Sequence, residues 1–437
     1  MSPRSRLFAS VAAALLAATP GGAQTLRTAQ APVELTVGVG AWSDEVTQLQ
    51  LEAEPRLEFD LSPTSGVVLS ARLRLDGEDR LEPQTPALDS YAPASRPATI
   101  AGSGTLELRD AYWETRFGRG IARFGKQQIV WGRLDGVKVL DVVNPQSFRE
   151  FILDDFGDSR ISLWAAYLDL FAAGWRLEAA LLPDYTAHEI PEPGAWFELT
   201  APRFRFGAAT DDAALPAVTD PGRRALNHGA LGLRLSRTLG RFDVSALAYS
   251  GNDHEPLGRV IGTGQGPVIE RFHRRREVFG ASAATSFGAV ALRVEAALQP
   301  ARAFNTRDAT GLRTTRADQV SAGIAADVDG PLGLFVNLQF LWDEVLEAPA
   351  ALLRPARDRS ATVFLRRSFA YETTRVEARW YHSFSEGDDL LKLTLEHEVA
   401  DDTAIYLSGD WFDGTRKGLF GQFAARDRIV LGLRHTF

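Results

Sequence analysis

The chain has 437 residues, a formal net charge of −8 at pH 7, 45% hydrophobic residues and 24% charged residues. The acidic balance offers no basic surface, so nucleic acid is not an expected partner. The chain has no cysteine, which excludes disulfides, thiolate metal sites, cysteine nucleophiles and a lipid-carrying cysteine. Beyond the N-terminus, no apolar run approaches the roughly 18 residues of a transmembrane helix, and no motif indicates a cofactor.

The N-terminal 23 residues have the pattern of a bacterial signal peptide. Arg4 and Arg6 form a positive start, Leu7–Ala18 is apolar, and Gly21–Ala23 are small residues before Gln24. The alternative is an N-terminal core helix. The pattern predicts export through the Sec pathway of a Gram-negative bacterium, with residues 24–437 as one mature domain.

The rest of the chain is dominated by alternation of apolar and polar residues, the period of a β-strand. In 47–61, Leu49, Leu51 and Leu57 alternate with Gln50, Glu52 and Glu58. Gly, Pro, Asp and Asn clusters mark the strand ends. The predicted strands are 32–42, 47–61, 65–76, 104–117, 120–132, 160–171, 174–184, 227–239, 241–251, 267–286, 289–299, 316–329, 332–343, 359–370, 373–385, 388–399, 402–412 and 425–437.

Connection lengths decide between a soluble β-sandwich and a transmembrane barrel. Tight turns such as 117–119 and 172–174 alternate with longer connections: 77–103, 133–159, 185–226, 252–266, 300–315, 344–358 and 413–424. Short turns at one rim and long loops at the other are typical of an outer-membrane barrel. We therefore predict an all-β, antiparallel up-and-down barrel of about 18 strands, with short periplasmic turns and long extracellular loops. Sixteen strands remain an alternative, because 160–171 and 267–286 alternate poorly.

The last strand supports this prediction. Ile429, Leu431, Leu433 and the terminal Phe437 share one face. A C-terminal phenylalanine on an alternating strand resembles the signal recognised by the barrel-assembly machinery, which is therefore an expected partner beside outer-membrane lipid. His435 departs from that signal, since an aromatic residue such as tyrosine is commoner there.

Charges of both signs fall on the predicted lumen face. A barrel this wide leaves a lumen that wall side chains alone do not fill. Opposed charges there either create a transverse field that favours small polar solutes or form salt bridges that stabilise the wall. The candidate lumen charges are Glu54, Arg72, Arg74, Arg234, Arg293, Glu295, Arg375, Arg379 and Glu396.

The connection after the fifth strand is the candidate constriction, with 185–226 as a rival. It is dense in charge and aromatic residues, and Ser147–Phe156 is predicted as one short helix with Phe148 and Phe151 on a shared face. It either narrows the pore or packs on the wall as a cap. A calcium site formed by Asp154, Asp155 and Asp158 is a weaker alternative, because the required ligand spacing and glycine are absent. The candidate residues are Arg133, Asp135, Asp141, Asn144, Arg149, Glu150, Asp154, Asp155, Asp158 and Arg160.

The segment GKQQIVWG (Gly125–Gly132), followed by LDVVNPQ (Leu140–Gln146), resembles the fifth strand and following loop of bacterial porin-like and export barrels, including the eighteen-stranded alginate-export type. The resemblance implies passive transport of a solute across the outer membrane, with an inner-membrane export system as a further candidate partner. It does not carry over alginate as the substrate, since alginate export calls for a strongly basic lumen.

Three other functions remain open. A non-conducting structural or adhesion barrel would have a closed lumen and large outer loops. An outer-membrane lipid-modifying enzyme needs a Ser–His pair; His382 and Ser383 are adjacent and, in a strand, face opposite sides. A FadL-like carrier of hydrophobic compounds needs an apolar lumen. The predicted function is therefore a channel for small polar or charged solutes.

Overall fold

The computed structural model describes residues 25–83, 88–100, 102, 104–136, 138–154, 156–207, 218–219, 229–263, 266–309 and 311–437. The predicted signal peptide and Asp155 lie outside the described residues. No helix within these ranges is long and apolar enough to cross a membrane.

Eighteen antiparallel strands close into a barrel. Strand β1 consists of Thr25–Gln30 and Pro32–Gly40, and β2 of Val46–Ala53 and Arg56–Ser62, with Pro55 at the break because proline has no N–H for the ladder. The others are β3 Ser65–Asp76, β4 Gly104–Phe117, β5 Gly120–Gln127, β6 Leu163–Ala172, β7 Trp175–Leu182, β8 Ala230–Leu239, β9 Phe242–Asn252, β10 Arg275–Phe287, β11 Val290–Asp308, β12 Gly311–Asp329, β13 Leu334–Val345, β14 Arg357–Phe369, β15 Thr374–Ser383, β16 Asp388–Ala400, β17 Thr403–Asp413 and β18 Arg428–Thr436. The only helices in the described ranges are short: Phe156–Ser159, Pro331–Gly333 and Gly421–Phe423.

The first and last strands close the barrel. β18 pairs with β1 from Pro32 opposite Thr436 to Gly40 opposite Arg428. The alternative of sixteen strands is therefore wrong, because both poorly alternating segments supply barrel strands.

The apolar side chains face outward. On β8, Leu231, Leu233 and Leu235 are 50%, 45% and 40% exposed, whereas Arg234 between them is buried. Exposed leucines around a closed barrel with a charged interior are typical of a protein surrounded by lipid. Closure of the barrel also pairs the backbone N–H and C=O groups of the strands that would otherwise lie at a sheet edge. The chain is an outer-membrane β-barrel.

The two rims differ as predicted. Turns of two to four residues join the strands at one rim, and the longer connections lie at the other. The predicted connection 300–315 is wrong, because β11 and β12 continue as one hairpin to Asp308 and Gly311. The predicted strand 267–286 is also too long, since Gly266–Phe272 pairs with Leu257–Thr263 in a separate outer hairpin.

Candidate functional site

The segment 128–162, between β5 and β6, is called the inserted loop, and its described residues fold into the barrel. Asn144 fastens the two ends of this loop together. Its Oδ1 accepts the Ile129 N–H at 2.7 Å, and its Nδ2 donates to the Ile161 carbonyl at 2.8 Å. Asn144, a constriction candidate, therefore holds the base of the loop.

The first part of the loop, 128–143, packs on the wall formed by β6–β13. Three inward-facing glycines make room for its apolar side chains, and an added Cβ at any of them would overlap the loop: Gly232 meets Trp131, Gly280 meets Leu140 and Gly323 meets Leu134. Trp131 is only 1% exposed. Glycine in a strand permits such close approach at the cost of wall packing, so the wall is shaped to hold this loop.

Polar contacts fix the same part of the loop. The Glu295 carboxylate accepts the N–H of Arg133 and, at 3.0 Å, that of Leu140. Arg293 pairs with the Asp135 carboxylate at 2.7 Å. Two predicted lumen charges thus bind two predicted constriction residues and attach the loop to β11.

The second part of the loop, 144–162, is attached to the opposite wall. Buried Arg149 donates to Gln50 Oε1 at 2.6 Å and lies 3.3 Å from the Glu82 carboxylate. Glu150 pairs with Arg428 of β18 at 3.2 Å. Buried charges without partners are costly, so these pairs keep both ions in place beside the lumen.

A salt bridge also crosses the loop. Asp141 accepts from Arg160 at 2.8 Å and lies 3.1 Å from Lys138. Burial lowers the pKa of Lys138 to about 8. The Arg160 carbonyl accepts from Arg109 of β4 at 2.6 Å. Asp141 and Arg160 therefore join the parts of the loop to each other.

The outer loops clamp the inserted loop through two histidines. The Gln146 N–H donates to His188 Nδ1 at 2.9 Å, and His254 Nε2 donates to the Val143 carbonyl at 3.1 Å. Burial lowers the pKa of His254 to about 3 and that of His188 well below its ordinary value. Both rings are therefore neutral at pH 7, and the neutral state of His188 is what allows its Nδ1 to accept the Gln146 N–H.

The predicted short helix over Ser147–Phe156 is wrong. Phe151 has a φ of +56°, which no α-helix accommodates, and the helix is a single turn at Phe156–Ser159. The Phe151 ring lies 4.8 Å from the Phe423 ring in an aromatic cluster of the outer loops. Phe148 instead lines a different cavity among the outer loops. Phe148 and Phe151 thus have different packing partners, and they do not share the helix face that the sequence pattern predicts.

A charged cavity of about 200 Å³, called the inner cavity, remains between the loop and the β1–β3 and β14–β18 walls. Eight acidic and six basic residues contribute to its lining. Of the constriction candidates in the described part of the chain, Glu150, Asp154 and Asp158 line it; of the lumen candidates, Arg74, Arg375, Arg379 and Glu396 do. Burial, reinforced by Glu150, raises the pKa of Asp154 to about 7.

Most wall charges near the loop are paired. The pairs are Arg72–Glu107 at 2.7 Å, Arg74–Glu52 at 2.8 Å, Arg109–Glu54 at 3.7 Å, Arg234–Glu178 at 3.4 Å and Arg375–Glu396 at 2.5 Å. Arg72 also donates to the Asp158 carbonyl at 2.9 Å. Much of the mixed charge foreseen for the lumen is therefore neutralised within the wall.

Arg379 and Lys392 differ from these pairs. They lie directly opposite each other on β15 and β16, and neither has a carboxylate within salt-bridge distance among the described residues. Arg379 stacks on Phe364, and Lys392 donates to the Leu153 carbonyl of the inserted loop at 2.7 Å. Two like charges side by side are unfavourable, so this part of the inner cavity attracts anions.

A second cavity, called the outer cavity, was missed by sequence reasoning. Its volume is about 270 Å³, and it lies among the outer loops and the outer end of β11. The available signal was the alternation of arginine and phenylalanine in RFRF, 203–206. Arginines and phenylalanines are prominent in its lining: Arg203, Arg271, Arg276, Arg302, Arg354, Phe148, Phe204, Phe206 and Phe304.

No group of three or more histidine or carboxylate side chains suited to a metal ion occurs among the residues that the structure describes. The weaker alternative of a calcium site included Asp155, which lies outside them.

A family model described as "Protein of unknown function (DUF1302)" matches residues 33–331. The chain belongs to this family. No curated protein matches the chain.

The chain is similar to several solved outer-membrane proteins at very low identity. OccAB1 of Acinetobacter baumannii is 9% identical, with 94% of this chain and 95% of that chain covered and a TM-score of 0.51. OpdK of Pseudomonas aeruginosa is 10% identical, with 94% and 100% covered and a TM-score of 0.49. OmpF of Salmonella typhi, in complex with daunomycin, is 9% identical, with 95% and 97% covered and a TM-score of 0.43. The likeness to OccAB1 supports the barrel fold and no more.

Proposed function

We propose that the chain is an outer-membrane channel that passes small polar or charged solutes passively, and that its inserted loop narrows the lumen. The observation that carries this proposal is the inner cavity, a charged space inside the barrel with the inserted loop as part of its lining. Fourteen acidic and basic side chains around one cavity keep it hydrated. A hydrated space within a membrane barrel is the property that a channel requires.

The attachments of the loop favour a fixed constriction. Backbone groups of its first part are bound by Glu295, and Glu150 in its second part is bound by Arg428 on the far side of the barrel. A loop held at both walls reduces the cross-section permanently, so it sets which solutes pass. Asp154 and Lys392 give the narrowed region both signs of charge.

One observation favours a non-conducting structural barrel. Aromatic residues of several outer loops form a cluster around Phe423, which is fully buried. Loops packed in this way cover part of the outer mouth. The two functions differ in a single property, the passage of ions.

The test is single-channel conductance in planar lipid bilayers, comparing the wild type with a deletion of Asn144–Phe156. We expect discrete channels for both and a larger conductance for the deletion. A deletion of equal length in the outer hairpin, Gly258–Glu270, is the matched control and leaves conductance unchanged. Equal conductance of wild type and the first deletion contradicts the constriction, and the absence of current from both contradicts the channel.

A further inference from the structure

We propose that the outer cavity is a binding site for organic anions with a compact apolar body, such as aryl carboxylates. We further infer that it selects the solutes that reach the inserted loop. This second statement rests on the proposed channel function, whereas binding itself does not.

The charge of the lining indicates an anion. Among the residues that the structure describes, five arginines and two carboxylates, Asp253 and Glu255, line the cavity. Arg203 pairs with Glu386 at 3.1 Å and Arg354 pairs with Asp343 at 3.0 Å, and neither carboxylate belongs to the lining. These pairs orient two guanidinium groups through carboxylates outside the lining, whereas Asp253 and Glu255 each pair with Arg302 at 2.7 Å. The lining therefore holds more guanidinium groups than carboxylates. Guanidinium groups suit carboxylates because several N–H donors lie in one plane.

The apolar part of the lining indicates the body of the solute. Eleven of the twenty lining residues are apolar. Arg203 stacks 5.2 Å from the centre of the Phe204 ring, and Arg302 stacks 5.4 Å from that of Phe304. Each pair places a charge beside an apolar face, so a solute with a carboxylate at one end and a ring at the other matches both. Mostly apolar walls with a few oriented polar groups are typical of small-molecule sites.

The position of the cavity links binding to passage. Phe148 of the inserted loop lines the outer cavity, whereas Leu153 and Asp154, a few residues further along, line the inner cavity. One short segment thus lies against both spaces. A solute bound outside therefore lies against the segment that it has to pass, and Arg379 and Lys392 line the cavity on the other side of that segment.

The test measures binding by isothermal titration calorimetry on the full chain in lipid nanodiscs, with phenylacetate as the probe. Acetate provides the charge without the ring, and phenylacetamide provides the ring without the charge. We expect saturable binding of phenylacetate and at least about tenfold weaker binding of both controls, since acetate lacks the ring and phenylacetamide lacks the charge.

Variants locate the site. Arg203→Gln and Phe204→Ala are each expected to weaken phenylacetate binding about tenfold, the effect of losing one charge-assisted hydrogen bond or one stacking face. Arg96→Gln is the matched control, because Arg96 is a half-exposed loop arginine outside both cavities, 3.8 Å from Asp89. It leaves binding unchanged. Heat-modifiable migration on gels checks that each variant retains the folded barrel.

Several results overturn the inference. If phenylacetamide binds as tightly as phenylacetate, the site does not select anions. If Arg203→Gln and Phe204→Ala both leave the affinity unchanged, phenylacetate does not bind in the outer cavity. No phenylacetate binding in a protein that conducts ions overturns the inference and leaves the channel standing. Phenylacetate binding in a protein that conducts no ions supports the site and overturns its role in solute selection.

Discussion

Replacing Trp131 by alanine tests the attachment of the inserted loop to the wall. The indole is nearly fully buried against Gly232 of β8, in the apolar cluster that holds the first part of the loop. The lipid-facing surface of the barrel does not include Trp131, so the change acts on the loop and spares the strands. The expected result is a barrel that still folds but holds its loop less firmly.

The size of the effect follows from the burial. Truncating a fully buried tryptophan to alanine costs about 3–5 kcal/mol. Applied to docking of the loop alone, about 3 kcal/mol raises the ratio of undocked to docked loop roughly a hundredfold or more. Gly232→Val should act in the same direction from the other side of the contact, because the added side chain overlaps the indole.

The assay is single-channel recording, supported by limited proteolysis in nanodiscs. Trp131→Ala and Gly232→Val should both show additional openings of higher conductance and faster cleavage within the loop. Trp113→Ala is the matched control, since Trp113 is a 40% exposed tryptophan on the outer face, and it should leave both readouts unchanged. Wild-type conductance and wild-type cleavage in both loop variants would refute the attachment of the loop through this contact.

Four further results are expected. Because the Asp154 carboxyl is neutral below pH 7 and charged above it, cation permeability relative to anion permeability should rise between pH 6 and pH 8 in bilayer recordings; Asp154→Asn should remove this rise. Lys392→Met removes a cation that lacks a carboxylate partner among the described residues, so reversal potentials should show lower anion permeability, and unchanged potentials would exclude a role for Lys392. Leu233→Arg places a charge in lipid and should destabilise the barrel in urea titrations by about 2–4 kcal/mol, whereas the same change at Leu332, an 80% exposed turn residue, should not. Deletion of Phe437 should lower the amount of assembled barrel in cells without changing refolding in detergent; equal assembly would rule out this residue as the recognition signal.

The barrel was predictable from sequence because its strands separate two environments. Successive residues such as Leu233 and Arg234 face lipid and lumen in turn, so each strand shows an alternation of apolar and polar residues. Strand ends were less predictable. In β11, Pro300 and Ala301 form a β-bulge that shifts the alternation by one residue, and the strand then continues to Asp308. Proline commonly ends a strand, so the residue pattern does not distinguish this bulge from a strand end.

The role of individual loop charges was not predictable to the same degree. Arg149, Asp141 and Arg160 have the composition of a pore lining, but burial inside the barrel requires partners, and these residues bind one another, the wall and the outer loops. Glu150 finds its partner in Arg428, 278 positions away. Such pairs form only when the barrel closes, so the residue pattern of the loop alone does not predict them.

Conduction by this barrel is tested by measuring the current through purified, folded wild-type protein in a planar lipid bilayer. We expect discrete current steps of a single main size, with direction-independent passage of small ions through the inner cavity. A bilayer that contains folded barrel yet shows no current steps at any applied voltage would contradict it.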